Sequence, residues 1–245
     1  MNVLMQISTL VRRRIRGKRL GIDFHRSASW TIPSEMALRS GRWVIEAPPH
    51  NGCKLAFLEI FLDDCYGIES VKPPVRTVLD IGANAGFFSI HARNVFPNAL
   101  IHAYEPNPAM EKFLQHQSAT GGFVYFLEAV GAVDGKVTLD ADLDSTHVRT
   151  HASPSGEITQ VALRSCIQRL GGTVDVLKLD CEGAEWDIFT DTAAWQNVRY
   201  AAIEYHLQHN QTRHLASESV TALGFRIRKH TTDGPSRGLL WAERR

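Results

Sequence analysis

The stretch VLDIGANAGFFSI, from Val78 to Ile90, decides the fold of this 245-residue chain. Its first four residues, V-L-D-I, are typical of a buried parallel strand, with the acid Asp80 close to the turn that follows. The residues from Gly86 onwards are typical of the start of a helix, and G-A-N-A-G between them is typical of the tight turn that joins the two. Because turns of this kind in α/β proteins commonly hold a nucleotide, this one is the first candidate binding site.

The alternation of strands and helices continues from Val75 towards the end of the chain. It predicts an α/β fold of Rossmann-like type, with a mostly parallel sheet and helices on both faces. We predict strands at 78–81, 100–104, 124–129, 158–163, 174–179 and 201–205, helices at 86–96, 108–117, 166–170 and 212–223, and a closing antiparallel hairpin formed by 225–229 and 239–242. Residues 134–156 interrupt the pattern, and they are either a surface insertion or a cover over a ligand site.

Residues 1–74 show weaker periodicity and predict an N-terminal extension that is partly helical. A helix is expected at 56–68, with Leu55, Leu58, Phe61 and Leu62 on one face. Pro73-Pro74 then marks a boundary, so that the main domain is expected to cover 75–245.

Sheets of this type bind ligands beyond the carboxyl ends of their strands, and acidic residues follow several predicted strands here. The turn does not match the dinucleotide fingerprint G-x-G-x-x-G, because Asn84 and Phe87 replace two of its glycines. Asp80 is also unfavourable beside a pyrophosphate and suits a cationic ligand, whereas Glu105 can accept both hydroxyls of a ribose. This combination favours S-adenosylmethionine. Its predicted site comprises Asp80, Gly82, Asn84, Gly86, Glu105, Glu128, Ala129 and Asp180. An alternative role for Glu105 is an interaction of its carboxylate with the dipole of the helix that follows.

The third informative stretch is VDVLKLDCEGAEWDIF, from Val174 to Phe189. Alternation along its strand predicts that Lys178, Asp180 and Glu182 point to one side. Two carboxylates and a lysine are costly in a plain core, so we expect them at the mouth of a ligand site. His206 ends the next strand, AAIEYH, and is expected to come near Asp180 and Glu182.

DIGANAGFFSI, YEPNP and LKLDCEGAEWDIF, in this order and spacing, resemble the FkbM family of S-adenosylmethionine-dependent methyltransferases. The resemblance covers roughly residues 75–244. It implies the seven-stranded class I methyltransferase sheet with its last strand antiparallel. It also implies O-methylation of a hydroxyl on a sugar, a glycan or a natural-product small molecule, with Asp180 and Glu182 at the methyl-transfer centre.

An alcohol is a weak nucleophile near neutral pH, so a base near the acceptor favours methyl transfer. We nominate His206 as the general base, with Asp180 as the alternative base or as the residue that orients His206. No metal is expected. A site for Mg²⁺ or Mn²⁺ formed by Asp180, Glu182 and His206 remains an alternative.

Charge and cysteine usage restrict the partners and the compartment. Residues 12–19, RRRIRGKR, carry six basic side chains and leave 21 basic against 26 acidic residues in the rest of the chain. An acidic body disfavours nucleic acid as a partner. The basic segment is either a solvated helix, a weak membrane-surface contact through residues 1–20, or an arm that docks RNA. Four cysteines without C-x-x-C spacing and the lack of a signal-peptide pattern indicate a cytoplasmic protein, either a monomer or a homodimer.

Two other functions stay open at this point. One is an RNA or protein methyltransferase that docks its substrate through the basic N-terminal arm. The other is a non-catalytic module that binds S-adenosylmethionine, although the retained acids at the strand ends disfavour it.

Overall fold

The computed structural model describes residues 3–22, 31–39, 41–49, 51–140, 150–208 and 210–245. The strands are β1 (Glu35–Leu38), β2 (Gly41–Val44), β3 (Thr77–Ile81), β4 (Leu100–Tyr104), β5 (Val124–Phe126), β6 (Ala129–Gly131), β7 (Gly135–Leu139), β8 (Thr150–Ala152), β9 (Ile158–Ala162), β10 (Val174–Leu179), β11 (Val198–His206), β12 (Phe225–Asp233) and β13 (Arg237–Arg244). The α-helices are α1 (Val3–Leu20), α2 (Asn51–Phe57), α3 (Phe87–Val95), α4 (Glu111–Gly121), α5 (Leu163–Arg169), α6 (Glu185–Ile188), α7 (Thr192–Trp195) and α8 (Arg213–Ala222).

Seven strands form the central sheet in the order β12-β13-β11-β10-β3-β4-β5. β13 runs antiparallel to both of its neighbours, and the pairs β11–β10, β10–β3, β3–β4 and β4–β5 are parallel. The predicted seven-stranded sheet with an antiparallel last strand is therefore confirmed. In the register of the pairs, Leu179 lies opposite both Ile81 and Ile203, so the carboxyl ends of three central strands meet at one edge.

The predicted third strand, 124–129, is wrong in extent, because it is divided between two sheets. β5 ends at Phe126, and β6 pairs instead with β9 in a four-stranded sheet of order β6-β9-β7-β8. The chain leaves the central sheet at Glu128, whose carboxylate forms an ion pair with Arg169 of α5. The predicted strand at 158–163 is thus present as β9 but lies in this second sheet. The interruption at 134–156 contributes β7 and β8 to it, and residues 141–149 lie outside the described part.

The predicted helix at 56–68 is also different in the structure. α2 begins earlier, at Asn51, and changes after Phe57 to a π-helical turn over Leu58–Leu62. Because a π turn rotates the following side chains about the helix axis, the expected common face does not form. Phe61 and Leu62 are buried, whereas Leu55 is 49% exposed.

The N-terminal extension shares a hydrophobic core with the main sheet. The Phe57 and Phe61 rings pack against Phe87 of α3, with centroid distances of 5.6 and 6.2 Å. α1 is held to the same segment by ion pairs from Arg13 to Asp63 and from Arg16 to Glu69. Within the described residues, no helix combines the length and the apolar character that a bilayer crossing requires.

Candidate active site

The G-A-N-A-G turn is held between the ends of three strands. The backbone N–H groups of Gly82 and Ala83 both donate to the carbonyl of Tyr104, at 2.9 Å. Gly82 has φ of 76°, and a Cβ atom there would lie 1.7 Å from the carbonyl oxygen of Asp180. Glycine is required at this position because two backbones touch, and this contact brings the turn against Asp180.

Glu105, at the end of β4, fixes the other side of the turn. Its Oε2 accepts the N–H of Asn84 at 2.8 Å, and its Oε1 accepts the N–H of Asn107 at 2.9 Å. Burial raises the pKa of Glu105 to about 7, against the opposing effect of these two N–H groups. Each carboxylate oxygen has a second lone pair, so Glu105 retains capacity for hydroxyl donors from a ligand.

The cofactor cleft, as we call it, opens beside Glu105 at the strand ends. Four carboxylates line it, from Glu105, Glu128, Asp180 and Glu182, and the described lining residues include no lysine or arginine. Of the residues predicted to bind the cofactor, the cleft is lined by Gly82, Asn84, Glu105, Glu128, Ala129 and Asp180. Such a lining attracts a cationic ligand and repels a pyrophosphate.

Two residues predicted for this site, Asp80 and Gly86, do not line the cleft. Asp80 is fully buried, accepts the Ser89 hydroxyl at 2.7 Å and lies 3.5 Å from Lys178 Nζ. Gly86 begins α3 with φ of 81° and packs against Phe123. Both therefore support the turn from behind, and a direct contact of either with the cofactor stays a prediction.

Lys178 links the turn to both acids that flank it. Its Nζ lies 3.5 Å from carboxylate oxygens of Asp80 and Asp180, and it donates to the carbonyls of Ile81 and Gly82. Burial opposes the charge of Lys178, but Asp180 and Asp80 hold its pKa above the usual value. The prediction that Lys178 and Asp180 share one side of the strand agrees with this geometry.

A second cleft, the acceptor cleft, lies on the other side of Asp180 and Glu182. Its apolar wall comes from the N-terminal extension, and its polar wall comes from the strand ends. It is lined among others by Leu55, Ala56, Ile60, Tyr66, Asp180, Glu182, Glu204 and Arg237. Gly82 and Asn84 also line it, so the two clefts meet at the turn.

Tyr66 is the contribution of the extension that touches the site most directly. Its hydroxyl donates to Asp180 Oδ2 at 3.0 Å. Burial and the nearby Asp180 charge raise the pKa of Tyr66, which therefore stays a neutral donor. The sequence analysis missed Tyr66, because nothing in D-D-C-Y-G distinguishes it from a core tyrosine.

The structure brings His206 to Asp180 and Glu182, as the strand order predicted. One ligand atom from each of these three side chains lies within 4.8 Å of the others. His206 Nε2 is 3.3 Å from Glu182 Oε2, and its Nδ1 is 3.2 Å from Oε1 of the fully buried Glu185. Glu185 was not predicted, although it lies inside the quoted stretch 174–189.

The charged groups around His206 determine the pKa of its ring, and hence whether it can act as the general base. Burial lowers the pKa of the ring, but Glu185 and Glu182 outweigh this effect and raise it to about 9. Burial and the repulsion from Asp180 raise the pKa of the neighbouring Glu204, which lines the acceptor cleft, to about 8. A ring that carries two protons cannot accept another, so this environment disfavours His206 as a base at neutral pH, and the nomination stays a prediction.

Comparison with known proteins places the chain in a family. The model of the methyltransferase FkbM domain matches residues 80–227, which include the carboxyl ends of β3, β4, β10 and β11. The chain belongs to the FkbM methyltransferase family. The chain is 26% identical over 189 residues to methyltransferase sdnD of Sordaria araneosa, which covers 60% of this chain and 73% of that protein. It is 42% identical over 53 residues to the 31-O-demethyl-FK506 methyltransferase FkbM of Streptomyces tacrolimicus, or 21% of this chain and 20% of that protein.

Among solved structures, magnesium protoporphyrin IX methyltransferase (ChlM) from Synechocystis PCC 6803 aligns with 82% of this chain and 86% of its own. The identity is 13% and the TM-score 0.49.

The cofactor of this FkbM methyltransferase is S-adenosylmethionine, and the cofactor cleft fits it. The ligand carries a sulfonium and an amino group, and the four lining carboxylates complement both positive charges. The ribose supplies two hydroxyl donors, which suit the remaining lone pairs of Glu105.

Proposed function

We propose that the protein transfers the methyl group of S-adenosylmethionine to a hydroxyl of a sugar, a glycan or a natural-product small molecule. The observation that carries this proposal is the meeting of the two clefts at Asp180 and Glu182. A donor in one cleft and an acceptor in the other would face each other across these carboxylates. The FkbM relative of Streptomyces tacrolimicus, whose name describes transfer to an oxygen, supports the same chemistry.

The lining of the acceptor cleft supports a small acceptor that has both apolar and hydroxyl surfaces. Leu55, Ala56 and Ile60 form an apolar wall, while Glu204 and Arg237 provide hydrogen-bonding groups opposite. Arg237 Nη1 lies 3.4 Å from Glu204 Oε1, which holds both side chains at the mouth of the cleft. Hydroxyl groups donate to carboxylates and accept from guanidinium groups, so this wall suits a polyhydroxylated molecule.

When bound, S-adenosylmethionine supplies an electrophilic methyl group on sulfur. The task of the chain is to align the acceptor oxygen with it, and this positioning contributes much of the rate. Asp180 lines both clefts, and its Oδ2 is held by the Tyr66 hydroxyl at 3.0 Å. In this proposal Asp180 accepts the hydroxyl proton while the bond from oxygen to the methyl carbon forms and the bond from sulfur to that carbon breaks.

The placement of the basic segment disfavours docking of RNA or protein by a free arm. Three of its six basic side chains form ion pairs within the chain, Arg12 and Arg13 with Asp63 and Arg16 with Glu69. The helix α1 that carries them packs against the π-helical turn at Leu58–Leu62.

Tracing of the methyl group tests the proposal. Purified protein is incubated with methyl-labelled S-adenosylmethionine and an extract of the source organism, which is then fractionated into glycans, small molecules, nucleic acid and protein. We expect label in glycans or small molecules, and loss of that label with Glu105→Ala. Label that appears only in RNA or protein, or no transfer to any fraction, would overturn the proposal.

A further inference from the structure

Three side chains, one of them His206, bring metal-ligand atoms close together, which methyl transfer alone does not require. Asp180, Glu182 and His206 each offer one oxygen or nitrogen, and all three atoms lie within 4.8 Å of one another. We propose that these three side chains form a binding site for a divalent metal ion beside the acceptor cleft, which Asp180 and Glu182 line.

The orientation of His206 is that of a metal ligand. Its side chain is only 10% exposed, and Nε2, the atom that faces Glu182, has no hydrogen-bond partner. Its other nitrogen, Nδ1, is 3.2 Å from Glu185 Oε1. Histidines that bind metals commonly give their second ring N–H to a carboxylate, which fixes the ring and directs the first nitrogen to the metal. At neutral pH a metal ion at Nε2 would displace the proton that this nitrogen carries in the protonated ring.

Glu185 is held firmly enough to serve as that carboxylate. It is fully buried, and its Oε1 accepts the backbone N–H groups of Cys181 and Gly183 at 3.0 and 3.2 Å. The His206 backbone is fixed as well, because its carbonyl accepts the Trp186 indole N–H at 2.8 Å. The ring is therefore positioned before any ligand binds.

The excess of carboxylates around the site also favours the binding of a cation. Among the described residues of this region, the permanently charged cations are Lys178, which lies between Asp80 and Asp180, and Arg237, which lies beside Glu204. Apart from Glu204, the surrounding carboxylates are four: Asp80, Asp180, Glu182 and Glu185. Buried carboxylates in excess of cations are costly, and a divalent ion offsets two negative charges at once.

The types of ligand atom limit which metal ions fit the site. One imidazole nitrogen and two carboxylate oxygens suit Mn²⁺, which accepts both kinds of ligand, better than Ca²⁺, which prefers oxygen throughout. Three protein ligands leave further coordination positions of such an ion open. A divalent ion lowers the pKa of a hydroxyl that it contacts, and would therefore activate the acceptor for methyl transfer. This catalytic role rests on the proposed function.

A binding measurement with Mn²⁺ as the probe tests the site without S-adenosylmethionine or acceptor, so its outcome is independent of the proposed function. The full chain is stripped with a chelator, dialysed and titrated with Mn²⁺, and free Mn²⁺ is followed by electron paramagnetic resonance. We expect saturation at one ion per chain. His206→Gln and Glu182→Gln should weaken binding by at least about tenfold, and Glu185→Gln by about tenfold to a hundredfold.

The matched controls come from α8, where His214 and Glu218 form an exposed pair at 3.2 Å. His214→Gln and Glu218→Gln should bind Mn²⁺ like the wild type. Circular dichroism of each variant checks that it is folded, and Glu182→Gln and Glu185→Gln give independent readings if His206→Gln is not. The absence of saturable binding by the wild type, or equal binding by the folded site variants and the controls, would overturn the proposal.

A separate observation concerns the outer side of α1. Ile7, Leu10, Val11 and Ile15 are 51 to 58% exposed, although all four are apolar. The opposite side of the same helix is polar and faces the protein, with Arg13 on Asp63 and Arg16 on the carbonyl of Phe61. This is the reverse of an ordinary surface helix, whose apolar side faces the core.

We infer that α1 lies on an anionic lipid surface. Its exposed apolar residues recur at helical spacing, and Arg12, Arg14, Lys18 and Arg19 are exposed on the same helix. Apolar side chains flanked by basic ones are the features that hold an amphipathic helix in the interface of a membrane that contains anionic lipids.

Sedimentation with vesicles tests this inference. The full chain is mixed with vesicles of phosphatidylcholine alone, or of equal parts phosphatidylcholine and phosphatidylglycerol. We expect binding to the anionic vesicles only, and a loss of at least about tenfold for the variant with Ile7→Ser, Val11→Ser and Ile15→Ser. A control variant with Leu100→Ser, Val124→Ser and Val133→Ser, which changes exposed apolar residues elsewhere, should bind like the wild type.

Equal sedimentation of both variants, or no binding by the wild type, would overturn the inference. Sedimentation velocity without lipid measures whether the chain forms a dimer through α1. A dimer that the α1 substitutions abolish would assign the apolar side to a second copy of the chain instead of a membrane.

Discussion

The cofactor cleft and the acceptor cleft share Asp180 and Glu182 but come from different parts of the chain. The cofactor cleft takes Gly82, Glu105 and Asp180 from positions that directly follow strands, so each of these three residues lies next to a recognisable pattern. The acceptor cleft combines residues near 55–66 with residues near 204 and 237, which only the folded chain brings together. Short sequence motifs are therefore enough to predict the cofactor cleft, whereas the acceptor cleft depends on how the N-terminal extension packs on the sheet.

The largest expected effect comes from Gly82, where both clefts depend on one backbone contact. Gly82→Ala would place a Cβ atom 1.7 Å from the Asp180 carbonyl oxygen, and the residue already has a positive φ. We expect a loss of at least about 4 kcal/mol in the free energy of unfolding, measured by urea denaturation. Gly135→Ala is the matched control, since no atom lies within 4 Å of its added Cβ. Equal stability of the two variants would show that the strand ends are not in contact.

Asp180→Asn separates the two clefts by function. The substitution keeps the shape of the side chain but removes its charge, so we expect kcat to fall by about a hundredfold to ten-thousandfold. The dissociation constant for S-adenosylmethionine, measured by calorimetry, should change far less. Asp187→Asn, in the exposed part of the same segment, is the control. A loss confined to cofactor binding would move Asp180 from the acceptor side to the donor side.

Glu105 provides a pH test that concerns the cofactor cleft alone. Burial places its pKa at about 7, with Asp80 and Lys178 as the charged groups that face it. Above that pH the carboxylate accepts the ribose hydroxyls, and below it the protonated form predominates. We therefore expect the dissociation constant for S-adenosylmethionine to rise by up to about tenfold per pH unit below 7.

The control for this pH effect is Glu105→Gln, which cannot ionise. It should bind more weakly than the wild type at pH 8 and show a flat pH dependence between 6 and 8. A slope that persists in this variant would assign the titration to another group.

The smallest effect is expected from Tyr66→Phe, which touches only the acceptor side. It removes the hydroxyl that donates to Asp180 Oδ2 and keeps the ring. A hydrogen bond to a charged group contributes about 1.5 to 3 kcal/mol, and at the lower end of this range we expect kcat to fall by about tenfold, with cofactor affinity unchanged. Tyr200→Phe removes a similar bond, to Glu243, away from both clefts. If both variants turn over like the wild type, Tyr66 has only a packing role.

The sequence was sufficient for the central sheet because its parallel strands are largely apolar and alternate with helical segments along the chain. It was insufficient at 124–131, where the chain changes sheets without a glycine or proline to mark the break. It predicted that His206 would meet Asp180 and Glu182, since neighbouring parallel strands end at one edge. It could not reveal Glu185 or Tyr66, because the first acts through a buried hydrogen bond and the second comes from a segment whose packing has no local signal.

The central claim is that the methyl group reaches a hydroxyl oxygen of an acceptor held beside Asp180. The most direct measurement uses S-adenosylmethionine with a ¹³C-labelled methyl group and follows the product by nuclear magnetic resonance. The account predicts a methyl carbon with the chemical shift of a methyl ether, present with the wild type and Asp187→Asn and strongly reduced with Asp180→Asn. A methyl carbon bound to nitrogen, sulfur or carbon, or a methyl ether that forms equally well with Asp180→Asn, would contradict it.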